Sequence, residues 1–189
     1  MNTIPAERSQ DPSVTGYAIL GLFSLREEMS GYELKQLADR TLKFFWTAPA
    51  MSHVYSELKR LTKAGLVEER LTQSGSRQLR RYRLTKSGRG ELATWLDGGE
   101  VGFPGLKHEV VLRLFLGAVS GPDRPRVVLE GYRSQLEGRI AELRVIREGL
   151  GEAPRFRYAA MVADWGIRYY SEELESVADA QNRLRGPSS

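Results

Sequence analysis

Residues 49–89 read PAMSHVYSELKRLTKAGLVEERLTQSGSRQLRRYRLTKSGR, and this stretch decides the fold. Wound at 3.6 residues per turn, Pro49 to Gly65 puts Val54, Leu58 and Leu61 on one side and Ser52, Ser56, Lys59 and Lys63 on the other. Tyr55 and Arg60 flank the polar stripe. One face can therefore pack on a core. The other offers hydroxyls, long cations and an aromatic, the residue types that meet phosphates and base edges in a groove. Next, Leu66 to Thr72 and Arg80 to Thr85 read as two short strands around a turn at Gln73 to Ser76. From Arg77 to Arg89 the chain carries Arg77, Arg80, Arg81, Arg83, Lys86 and Arg89 with no acidic residue. Taken singly, the helix could be a solvated surface helix and the basic strand an edge blunted against aggregation. Their direct succession is the helix-then-wing order in which one element enters a major groove and the other follows the backbone.

A chain of 189 residues with 41% hydrophobic content can bury a core in one domain or two small ones. The net charge of +4 is modest, so an anionic partner is argued from where the cations cluster. Without cysteine there is no disulfide framework and no thiolate metal site. The polar start, and the lack of any apolar run of membrane-spanning length, predict a cytoplasmic protein with no membrane partner.

Met1 to Ser13 and Gly186 to Ser189 read as disordered tails. Val14 to Leu25 is nearly continuous in apolar residues, including Tyr17, Ile19 and Leu20, and predicts a helix buried on more than one side. Ser30 with Glu33 three residues on predicts a capping box and a helix from Gly31, with Leu34, Leu37, Ala38 and Leu42 inward. Phe44, Phe45 and Trp46 read as hydrophobic anchors in the connection that follows. Thr85 is suited to cap a helix over Lys86 to Asp97, with Leu92, Trp95 and Leu96 facing inward. Gly88, Gly90 and Ala93 spell the surface form of a dinucleotide fingerprint there. Its context contradicts it, because a buried parallel first strand would not carry Arg80, Arg81 and Arg83.

Gly98, Gly99, Gly102 and Pro104 mark residues 98–104 as a linker between a domain at 14–97 and a helical one at 105–185. Leu106 to Val119 reads as an apolar helix. Over Pro125 to Leu150, Leu129, Leu136, Leu143 and Leu150 recur every seven residues with Tyr132 and Ile146 between, a coiled-coil seam. Arg139 interrupts the intermediate series, which favours irregular antiparallel packing over a zipper, and prolines before the helix exclude a continuous basic region feeding it. The last helix, about Phe156 to Leu184, presents Tyr158, Met161, Val162, Trp165, Tyr169 and Val177 as an apolar stripe. Two such helices joined by Gly151 to Pro154 predict a homodimer, with these seam and stripe residues at its interface.

The segments SGYELKQLADRTL (30–42), VYSELKRLTKAGLVEE (54–69) and RRYRLTKSGRGELATWL (80–96) resemble the PadR family of bacterial transcriptional regulators. The long C-terminal part is similar to the larger subfamily that includes relatives of the virulence activator AphA. The resemblance implies a mainly α fold with a small β-hairpin wing: a winged helix-turn-helix followed by an antiparallel helical dimerisation domain. It implies a dimeric repressor with double-stranded DNA as partner, and for some members a small-molecule effector at the dimer interface. By motif position it places DNA contacts at Ser52, His53, Tyr55, Ser56 and Lys59, with Arg77, Arg80 and Arg81 in the wing; Lys63 joins them from the helix face. Thr47 to Met51 departs from the shorter polar entry that the resemblance implies. Trp95 matches a structural tryptophan of the family.

An enzyme is the rival class. The two histidines, His53 and His108, are far apart with no metal-ligand spacing, Glu172, Glu173 and Glu175 read as a solvated face, and no nucleophile elbow or phosphate-binding loop is present. No cofactor is expected. An adaptor built on the coiled coil alone would leave the basic ribbon unexplained.

Overall fold

The computed structural model describes residues 11–74, 77–98, 101–105, 107–119, 121 and 123–185. The chain divides into two compact units, Met1–Gly102 and Phe103–Ser189. Gly99 and Glu100 of the expected linker, Leu106, and the tails 1–10 and 186–189 lie outside the described residues.

The first unit runs α1 (Val14–Phe23), β1 (Glu28–Met29), α2 (Gly31–Thr41), α3 (Met51–Lys63), β2 (Val67–Ser74), β3 (Arg77–Leu84) and α4 (Lys86–Asp97). Three antiparallel strands in the order β1-β3-β2 close one side of the helices. Ile19 and Leu20 of α1, Leu34 of α2, and Leu58 and Leu61 of α3 are buried in one core with Met29, Tyr82 and Leu84 of the strands. The mainly helical fold with a β-hairpin is as expected. Its third strand is new. β1 has two residues and no periodicity of its own, and it forms because β3 offers an open edge at Tyr82 and Arg83.

Caps fix the helix starts. Ser30 and Glu33 form the reciprocal box, with the Glu33 amide donating to Ser30 Oγ (3.2 Å) and the Ser30 amide to Glu33 Oε2 (2.7 Å). Thr85 Oγ1 accepts from the Gly88 amide (3.0 Å). Of the segment read as a tail, Ser13 instead caps α1, accepting from the Gly16 amide (3.0 Å) and donating to Glu57 (3.2 Å). α3 is shorter than Pro49 to Gly65. It ends at Lys63 because Gly65 turns left-handed (φ 72°), and the Leu66 amide then reaches back to the Leu61 carbonyl (3.0 Å).

Two expectations of burial fail. Phe45 and Trp46 are exposed, because the α2–α3 connection leaves the core after Leu42. Leu96 is also exposed, whereas Trp95 is half covered, its ring stacked on Tyr17 at 4.7 Å.

The second unit runs α5 (Glu109–Phe115), a short 3-10 turn at Gly117–Val119, α6 (Asp123–Leu150), a second one at Pro154–Phe156, and α7 (Arg157–Arg185). α6 and α7 form an antiparallel hairpin that turns at Gly151 (φ 58°). Leu129, Leu136 and Leu143 are buried within this one chain. This corrects their assignment to a dimer interface. Small residues make it possible: Ala160 and Ala163 are buried on α7, and a Cβ on Gly166 would lie 3.0 Å from Leu143 Cδ1, so α7 approaches α6 closely enough to cover the heptad leucines itself. Tyr132 also packs against the hairpin core, and Ile146 and Leu150 are half-buried along it. Arg147 to Asp164 (3.0 Å) and Gln181 to Glu130 (2.9 Å) tie the hairpin's edges.

Candidate nucleic-acid interface

α3 presents two faces. Val54, Leu58 and Leu61 are fully buried, while Ser52, His53, Tyr55, Ser56, Lys59 and Lys63 are all exposed. Glu57, the acidic residue of α3, is bound to Ser13 and to Arg60 (3.0 Å), and the Arg60 guanidinium also reaches the Asp11 carbonyl (3.4 Å). The acid is thereby neutralised beside α1, and among the described residues Lys59 and Lys63 enter no ion pair. Ala50 at the head of α3 gives its first-turn amides no side-chain acceptor, whereas Ser13, Ser30 and Thr85 cap the other three helices of the unit. Open amides at a helix start favour an anion.

Tyr55 is 47% exposed and its ring lies against the backbone of Gly31: a Cβ there would stand 2.6 Å from Tyr55 Cε1 and 3.1 Å from its hydroxyl. Any larger residue at 31 would displace the ring. Gly31, expected only as a helix start, is thus also the position that admits the Tyr55 ring, and its signal is a glycine between a capping serine and Tyr32.

The wing is longer than expected. β2 and β3 pair from Val67↔Leu84 to Ser74↔Arg77, and the turn residues Gly75 and Ser76 lie outside the described residues, as does the Arg77 side chain. The acid-free run from Arg77 to Arg89 is not a bare cationic surface. Register sets Glu68 opposite Arg83 and Glu69 opposite Tyr82, so Arg83 pairs with Glu68, and Arg80 with Glu69 at 3.2 Å. Arg81 is turned onto Glu28 (3.2 Å) and Glu33 (3.4 Å), so of the arginines expected to contact DNA it is engaged by two carboxylates of its own chain. Charges on neighbouring strands meet by register, which a linear run does not display. Arg80, 66% exposed on its side chain, holds an exchangeable surface pair and stays available to a phosphate.

In the second unit, Met161, Trp165 and Tyr169 are exposed with Tyr158 and Val162, one stripe on the side of α7 turned away from Ala160, Ala163 and Val177. α7 thus has two apolar faces, of which the hairpin covers one. Glu173 is not part of a solvated face. Its carboxylate meets His108 Nε2 at 2.9 Å, and Tyr132 Oη lies 3.1 Å from the same nitrogen. His108 Nδ1 accepts from the Val111 amide (3.2 Å), so the neutral ring carries its proton on Nε2, facing Glu173. Burial, then the Glu173 charge, pushes the Tyr132 phenol up to about 12. The cluster staples the start of α5 to α6 and α7. Among the described residues no group of His, Asp and Glu could hold a metal ion, and no helix is long and apolar enough to cross a membrane.

Compared with known proteins, residues 19–94 match the transcriptional regulator PadR-like family, and residues 106–185 match the C-terminal domain of the virulence activator alpha family. The negative transcriptional regulator PadR of Bacillus subtilis is 34% identical over 132 residues, 69% of each chain. The chain belongs to the PadR-like family. This is a family of transcriptional regulators and not of enzymes, and the resemblance read from the sequence holds. Two crystal structures of Bacillus subtilis PadR share the fold of this PadR-like chain. The complex with operator DNA superposes with a TM-score of 0.80 at 24% identity, covering 91% of this chain and 99% of that one. The complex with p-coumaric acid has a TM-score of 0.72 at 23% identity, covering 92% and 99%.

Proposed function

We propose that this PadR-like regulator is a cytoplasmic, ligand-responsive repressor that binds a palindromic operator as a homodimer. The observation that carries the DNA reading is the outward stripe Ser52, Ser56, Lys59 and Lys63, whose lysines enter no ion pair among the described residues, on a helix whose first turn has no side-chain cap. His53 and Tyr55 flank this stripe. Arg80 is the wing residue placed to follow the phosphates, and Arg77, which opens β3, is assigned with it. Repression and an aromatic acid as effector are supported by what the Bacillus subtilis relative is named for and crystallised with. The dimer is supported by the open stripe on α7, since monomeric proteins seldom leave so many large apolar side chains together in water. A two-fold dimer would read two half-sites.

Fluorescence anisotropy with duplex DNA at a series of salt concentrations tests the reading. Affinity is expected to fall steeply with salt, through counterion release. Arg80→Ala should weaken binding to all duplexes and lower the salt slope by about one unit, one phosphate contact being lost. Ser52→Ala or Ser56→Ala should instead reduce the preference for a selected duplex over random sequence. A chain with no salt-dependent duplex binding would be an adaptor, and the reading would fail.

Tyr55 gives a finer test. Its ring rests on Gly31 at the start of α2 and the residue is half exposed, so a hydroxyl that bonds a phosphate predicts that Tyr55→Phe leaves the melting temperature unchanged and costs about 0.5–1.5 kcal/mol of DNA affinity, the net value of one hydrogen bond. Unchanged affinity with a lowered melting temperature would make Tyr55 a packing residue only.

A further inference from the structure

The Arg81 side chain is 26% exposed against 66% for its neighbour Arg80. Its guanidinium makes three contacts. Nε donates to Glu28 Oε2 at 3.2 Å, one terminal nitrogen donates to the Glu28 carbonyl at 3.1 Å, and the other lies 3.4 Å from Glu33 Oε2. Glu28 belongs to β1, whose main chain pairs with β3 beside Arg81. Glu33 Oε2 also accepts from the amide and hydroxyl of Ser30 (2.7 and 2.8 Å). Those bonds, and then the Arg81 charge, hold the Glu33 carboxyl below the usual range. The residue after Ser30 is Gly31, against which Tyr55 of α3 rests. A connected path therefore runs from β3 through Arg81, Glu33, Ser30 and Gly31 to the exposed face of α3.

Charge decides what Arg81 can do. One guanidinium faces two carboxylates, so this corner has no positive surplus to offer a phosphate. The fork matters as well, because a lysine gathers its three donors on one nitrogen, whereas these acceptors are met by Nε and the two terminal nitrogens of a planar guanidinium.

We propose that Arg81 is a positioning residue for DNA binding: it touches no phosphate and sets the wing formed by β2 and β3 at a fixed angle to α3, through the first turn of α2. The proposal rests on the DNA-binding reading above. It deepens that reading by giving two neighbouring arginines opposite roles.

The experiment uses the full chain and a duplex selected from a random pool by the wild type, with anisotropy read across a salt series and circular dichroism confirming the fold. Arg81→Ala should weaken binding about tenfold, as expected for members of one network, yet leave the salt slope at the wild-type value. Arg81→Lys should not restore affinity. Glu33→Gln keeps a residue that serves the capping box but removes the charge partner, so it should stay folded and reproduce most of the loss. The double variant Arg81→Ala with Glu33→Gln should bind no more weakly than Arg81→Ala alone. A salt slope lowered by about one unit in Arg81→Ala, or rescue by lysine, would make Arg81 a phosphate contact and overturn the proposal. Wild-type affinity in folded Arg81→Ala or in Glu33→Gln would overturn it too, leaving the cluster merely structural. Arg80→Ala separates the two readings: if the wild type binds duplex and Arg80→Ala lowers the slope, DNA binding stands whatever becomes of Arg81. A wild type that binds no duplex would sink both.

Discussion

Gly88→Ala is expected to destabilise the first unit by about 3 kcal/mol, while Gly90→Ala two residues later is expected to stabilise it by about 0.5–1 kcal/mol. A Cβ on Gly88 would stand 2.1 Å from the Leu66 carbonyl oxygen and 2.8 Å from Leu84 Cδ1. The backbone oxygen cannot step aside freely, because it also accepts from the Thr85 amide and the Thr85 hydroxyl, both at 3.1 Å. Moving it breaks the seam between the start of β2 and the head of α4. Overpacking of this kind costs about 1–3 kcal/mol, and each lost hydrogen bond adds about 1 kcal/mol. At Gly90 a Cβ meets nothing within 4 Å, so alanine there only removes freedom from the unfolded chain. Thermal denaturation of the two variants should therefore move in opposite directions, with Gly88→Ala lower by roughly 10–20 °C for a unit of this size. Equal melting temperatures would mean that helix and strand do not meet this closely. The opposite fates also explain the false fingerprint, whose first glycine serves helix-to-strand packing and whose second serves no contact.

Leu136→Ala and Trp165→Ser should fail in different ways. Leu136 is 2% exposed inside the hairpin of its own chain, so truncation leaves a cavity and costs about 2–5 kcal/mol of stability, seen as unfolding at lower denaturant. Trp165 is 76% exposed, so its loss should change the fold's own stability by no more than about 0.5 kcal/mol. As an aromatic anchor of the proposed dimer it should nevertheless cost about 2 kcal/mol of association, roughly a thirtyfold rise in the dimer dissociation constant by sedimentation. Specific DNA binding should fall with it. A Trp165→Ser protein that remains as dimeric as the wild type would remove the α7 stripe from the interface.

Local interactions made much of this protein legible in its sequence. The capping box at Ser30 and Glu33, the Thr85 cap, and the division of α3 into the face of Val54, Leu58 and Leu61 and the face of Ser52, Ser56, Lys59 and Lys63 depend on residues three or four apart. The family's motifs lie in these same segments. Tertiary structure decided what depends on partners distant in the chain. β1 exists only because β3 leaves an edge beside it, and Arg81 faces inward because that edge brings Glu28 and Glu33 to its fork. The seven-residue leucine repeat specified an apolar seam but not whose helix would cover it; small residues on α7 let the chain cover it alone and left Met161, Trp165 and Tyr169 facing outward. Periodicity fixes which side of an element is apolar. Cross-strand register and the closeness of packed backbones fix what that side, or a charge beside it, finally meets.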